Sequence, residues 1–80
     1  MKGTVVEYNP KRGTCIVKDN SNEYSVLELL GHEVEVGDVI SGNLHNLGSE
    51  TVFNETQMEA MSVYIQDIHA SLKVARSITY

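Results

Sequence analysis

NETQMEAMSVYIQDIHASLKVARSITY, residues 54–80, is the stretch whose period decides the fold. Met58, Met61, Ile65, Ile68, Leu72 and Ala75 recur at alternating spacings of three and four, which sets all six on one stripe of a helix. A start signal occurs twice. Asn54 with Gln57, flanked by a Phe53 to Met58 staple, is one; Thr56 with Glu59 as a capping box is the other. Glu55 and Glu59 near the start, and Lys73 and Arg76 near the end, complement the helix dipole, and no Gly or Pro interrupts the run. Against this stands Ser62-Val63-Tyr64-Ile65, whose β-branched and aromatic residues favour a strand and leave a sixth strand over residues 62–70 open. The longer periodicity outweighs this four-residue run. It predicts a C-terminal amphipathic α-helix over residues 54–79.

A helix of about 22 residues would be roughly 33 Å long, more than a small barrel of some fifty residues can cover. Met58, Met61, Tyr64, Ile65, Ile68, Leu72 and Ala75 are therefore expected to form a partner face, with Val63 and Ile78 widening it. Another copy of the chain is the simplest partner for such a face, and another protein is the alternative. The competing reading has the whole stripe packed on its own barrel.

Upstream, strand-like runs fill residues 3–8, 14–18, 24–29, 39–44 and 51–53. Turn clusters at residues 9–13, 19–22, 31–38 and 45–49 separate them. Five short strands at this spacing predict a mainly β fold, a small closed barrel over residues 1–53, since closure removes exposed strand edges. In the second strand Cys15 and Val17 would face in, while Thr14, Ile16 and Lys18 face out.

The chain has 80 residues, 41% of them hydrophobic, which suits one small domain with a single core. No apolar run approaches the roughly 18 residues needed to cross a bilayer, and Lys2-Gly3-Thr4 is unlike a secretory leader. Cys15 is the only cysteine, so a disulfide within the chain is excluded. A soluble cytoplasmic protein with no membrane partner is expected. The net charge is −5, and residues 1–55 hold nine acidic side chains against four basic ones. That balance repels a phosphate backbone, because nucleic-acid affinity rests on counterion release by Lys and Arg.

The opening, Lys2-Gly3-Thr4-Val5, resembles the KGTV of the cold-shock domain family, five-stranded barrels of the oligonucleotide-binding fold. Tyr8-Asn9-Pro10-Lys11-Arg12-Gly13 is similar to that family's FN-x-x-KG turn, and Val36-Gly37-Asp38-Val39 resembles its EGQxV approach to the fourth strand. The resemblance covers residues 1–54 and implies single-stranded RNA or DNA bound by stacking on exposed rings. Here those rings are mostly missing. Glu7 stands at the family's tryptophan, Thr14 and Ile16 at the phenylalanines of KGFGFI, and Ser25 and Leu27 at the phenylalanine and histidine of DVFVH. What remains is one basic and aromatic grouping, Lys2, Tyr8, Lys11, Arg12 and Lys18, at which nucleic-acid binding would be weak or absent.

Chemistry-bearing clusters are sparse. His32, His45 and His69 fall in three different elements and lack the spacing of a metal motif. Cys15 reads as an inward core residue and not as a nucleophile. Glu28, Glu33, Glu35 and Asp38 do not follow the ligand order of a calcium loop, but the cluster could attract a basic partner. The expectation is a non-enzymatic interaction module without cofactor or metal, with weak single-stranded nucleic-acid binding at the first hairpin as the alternative.

Overall fold

The computed structural model describes residues 1–80. Six strands precede one short helix: β1 (Lys2–Asn9), β2 (Thr14–Asp19), β3 (Tyr24–Glu28), β4 (Val39–Ser41), β5 (Gly48–Asn54), β6 (Glu59–Ala70) and α1 (Leu72–Thr79). They close into a barrel in the order β1-β2-β3-β6-β5-β4, with every neighbouring pair antiparallel. Strand direction must alternate around such a ring, so a ring of five could not be antiparallel throughout. The sixth strand makes that possible, and it comes from the stretch predicted to be helix.

That prediction is corrected over most of its length. Residues 59–70 form β6, and only residues 72–79 are helical. Met61, Val63 and Ile65 are buried while Ala60, Ser62 and Tyr64 are exposed, which is the two-residue period of a strand. A spacing of four, as between Met61 and Ile65, fits either period; the three-residue steps discriminate. Met58 does not belong to the stripe, since it sits 76% exposed in the β5–β6 turn at φ 56°. Ile68 faces the core for a different reason. Leu27 pairs with Ile65 but Val26 pairs with Asp67, so Gln66 is an extra bulge residue that resets the alternation. Ile68 thus packs against the core three residues after Ile65. A bulge has imitated a helical step.

The main core gathers Val5, Cys15, Val17, Leu27, Leu29, Ile40, Val52, Met61, Val63 and Ile65, with Val34 and Leu44 supplied by the two long connections. Gly3 is required where β1 crosses β2: a Cβ there would lie 2.5 Å from Val17 Cγ1 and 2.9 Å from the Lys18 carbonyl. Burial first, and the Asp38 carboxylate second, push the Cys15 thiol up to about 12.

A second, smaller core lies outside the barrel, where α1 lies across the outer face of β2, β3 and the end of β6, with Val6 of β1 at its margin. Ile16, Val26 and Ala75 are fully buried there, with Val6, Tyr24, Ala70, Leu72 and Ile78 around them. Ser71 caps the helix by accepting from the Val74 N–H at 3.3 Å. Asn9 Nδ2 donates to the Thr79 carbonyl at 3.0 Å and Arg12 Nη1 to the Tyr80 carbonyl at 3.1 Å, while Arg76 pairs with Glu7. No helix is long and apolar enough to cross a membrane.

Candidate interaction surface

The outer face of β2 and β3 is where the cold-shock resemblance would seat nucleic acid, and here α1 covers it. Thr14 and Ile16 do point outward, as the resemblance implies, but Ile16 is sealed under Ala75 and the Thr14 hydroxyl donates to the Thr79 carbonyl at 3.4 Å. On β3 the outward residue of the small core is Val26, whereas Leu27 faces the main core and the Ser25 hydroxyl donates to the Leu44 carbonyl at 3.2 Å. Glu7 holds Arg76 of the helix. Of the positions at which the resemblance would place rings, Glu7, Thr14 and Ile16 instead seat the C-terminal segment, while Ser25 and Leu27 turn to the barrel interior.

Lys2, Tyr8, Lys11, Arg12 and Lys18 do not converge on one face. The Lys2 ammonium is 3.1 Å from Glu55. Lys18 is opposite Thr4 near the start of β1, whereas Lys11 and Arg12 lie in the turn beyond its far end, roughly 17 Å of strand away. Arg12 already holds the end of the chain. The Tyr8 ring packs inward against the main core, and burial, then Glu33 and Cys15, push its phenol up.

The residues expected on a helical partner face are also dispersed. Met61 and Ile65 are fully buried in the barrel, Ile68 packs beside them, and Leu72 and Ala75 belong to the small core under α1. Only Met58 and Tyr64 are substantially exposed, at 76% and 46%. They share one region: Tyr64 lies on the outer face of the β5–β6 hairpin, and Met58 lies in the turn that joins the two strands.

That outer face is built from cross-strand pairs Ser49 with Tyr64, Thr51 with Ser62, and Phe53 with Ala60, all six exposed and none charged. In a chain of net charge −5 this is a local exception. A shallow depression of about 320 Å³ opens beside it, lined by Ser49, Thr51 and Ser62, by Glu50 and Val63 of the same two strands, and by Leu30 of the β3–β4 crossover, so that Glu50 is the one charge at its margin. The sequence signal for this face was available at residues 60–64, where every second residue is small, hydroxylated or aromatic and uncharged.

The crossover is fixed beside this face by two polar devices. Buried Asp38 accepts through Oδ2 from the Glu35 N–H at 3.0 Å, Asn54 Nδ2 at 2.8 Å and Gln57 Nε2 at 2.6 Å, which ties the crossover to the β5–β6 turn. Burial alone would raise the Asp38 carboxyl, but the three donors outweigh it and lower the titration. His32 is the second device. Its Nε2 accepts from the Ser62 N–H at 3.3 Å, so that nitrogen carries the lone pair and Nδ1–H donates to Glu59 at 3.0 Å. The lone pair that a general base would need therefore rests on a backbone amide.

His45 and His69 meet elsewhere, with ring centroids 4.3 Å apart. His45 is held by Asp19 and His69 by Glu23, so the β4–β5 loop, the β2–β3 turn and the end of β6 are linked. Asp19 also accepts from the Ser21 and Glu23 N–H groups; burial would raise its carboxyl, and the bonds from His45 and these amides lower it. No three His, Cys, Asp or Glu side chains are arranged to hold a metal ion. Comparison with protein-family models, curated proteins and solved structures returned no match to this chain, so the reading of the surface rests on its own chemistry.

Proposed function

We propose that the protein is a non-enzymatic contact module that binds protein, a second copy of itself first, through the β5–β6 hairpin. The observation that carries this is the uncharged outer face with Phe53, Tyr64 and Met58 exposed on a chain of net charge −5. Two such chains repel each other over most of their surface, and an uncharged region is where they approach at least cost. An oligonucleotide-binding-type barrel is part of the proposal, supported by the opening turn and by β4 lying beside β1. Size-exclusion chromatography with light scattering across a concentration series tests it. The mass is expected to rise toward that of a dimer, and Tyr64→Glu to return it to a monomer. A strict monomer at millimolar concentration would refute self-association.

The alternative, weak binding of single-stranded RNA or DNA at the first hairpin, is supported by Lys11 and Lys18, which have no acidic partner. Fluorescence anisotropy with mixed oligonucleotides at low salt is the test, and an absent response there removes it.

A further inference from the structure

β6 is longer than its partner on one side. All of Glu59–Ile65 pairs with β5, but β3 pairs only with Tyr64 and the residues after it. Residues 59–63 are therefore a strand edge. The crossover that passes alongside does not complete the ladder with its own backbone, because the Leu29 N–H donates to the Gly13 carbonyl and the His32 N–H to the Leu29 carbonyl. One side chain stands in. The Ser62 N–H, directed away from β5, is taken by His32 Nε2, and the Ala60 N–H, two residues earlier on the same side, has no acceptor from β3 or the crossover.

We infer that this edge, residues 59–63 of β6, is where a second copy of the chain adds as an antiparallel strand, with His32 as the side chain that guards it. The inference rests on the self-association proposed above and names its geometry. Pairing two copies of Glu59-Ala60-Met61-Ser62-Val63 about Met61 sets Ala60 opposite the partner's Ser62, so the amides directed outward from the edge exchange bonds with each other. Glu59 then faces the partner's Val63, and no carboxylate opposes another. The ladder ends at Val63, because the next position of β6, Tyr64, is already paired with Glu28 of β3. Natural edges are commonly blunted by a covering loop or a charge, and here His32 and Glu59 supply both.

Amide hydrogen exchange of the full chain, read residue by residue in dilute and concentrated solution, tests the inference. Exchange at Ala60 and Ser62 is expected to slow as concentration rises. His32→Ala is expected to lower the concentration needed for association by about tenfold, the worth of one hydrogen bond no longer displaced. Association that leaves Ala60 and Ser62 exchange unchanged would overturn the edge geometry while leaving self-association standing. A monomer at every concentration, in wild type and His32→Ala alike, would overturn both. Should His32→Ala fail to fold, the wild-type exchange pattern decides alone.

Discussion

Asp38 offers the sharpest test of how the crossover is held against the β5–β6 hairpin. Its carboxylate is 3% exposed and accepts three hydrogen bonds, yet no cation is paired with it. In Asp38→Ala the three donors do not suffer equally. Glu35 and Gln57 are exposed and regain water, whereas Asn54 is 0% exposed and its amide is left unpaired inside the protein. A bond to a charged acceptor is worth about 1.5–3 kcal/mol, and stranding a buried donor costs a similar amount. Counting Asn54 in full and the other two as fractions gives a loss of about 3 kcal/mol. A chain this small holds only about 4–12 kcal/mol of stability in all. With a urea slope of about 1 kcal/mol/M, the unfolding midpoint should fall by about 3 M.

The pH dependence supplies an independent arm. The folded carboxyl titrates below its unfolded value, so its contribution is present above about pH 4 and is lost as pH falls through the lowered folded value. Asp38→Asn, which keeps the shape, should flatten that part of the acid limb while costing less than Asp38→Ala. A loss below about 1 kcal/mol in Asp38→Ala, or an acid limb unchanged in Asp38→Asn, would refute the clamp.

Other consequences follow from single positions. Gly3→Ala should destabilise by about 2–3 kcal/mol in urea denaturation, because the added methyl meets Val17 and the rigid Lys18 carbonyl. Ala75→Glu should undock α1 without opening the barrel, seen as faster amide exchange confined to residues 72–80 and as new dye binding at the bared Ile16 and Val26. Cys15 should resist thiol reagents at neutral pH and react only at the rate of global unfolding, since its thiol is fully buried and pushed up to about 12. His45→Ala should weaken the protein at neutral pH by removing a bond that favours charged Asp19, with the difference from wild type shrinking as pH falls below the carboxylate range.

The barrel was legible in the sequence because its first half is built from local signals. The turn at Asn9–Gly13 and the alternation about Cys15 and Val17 both act within a hairpin. The sixth strand was harder to read, since Met61 and Ile65 satisfy both periods and the bulge at Gln66 supplies the odd step. A bulge depends on the neighbouring strand and leaves little mark in its own residues. The β-branched and aromatic character of Ser62–Ile65 was the better guide. Of the seven residues expected on a helical partner face, Met58 and Tyr64 are exposed, but on a hairpin and not on a helix, while the buried remainder of the stripe belongs to the two cores. The guard at His32 was not legible, because it joins residues thirty positions apart through a tertiary contact.

β4 closes the ring with three residues, paired to β1 at three positions and to β5 at two. On either side of it stand longer ladders, β1 with β2 and β5 with β6, each joined by a short turn. The barrel therefore behaves as two independently sewn panels fastened along one stout hem, β3 to β6, and one thin one. Heat or force should part the thin hem first, letting the panels swing open about the β3–β6 line while each keeps its own weave.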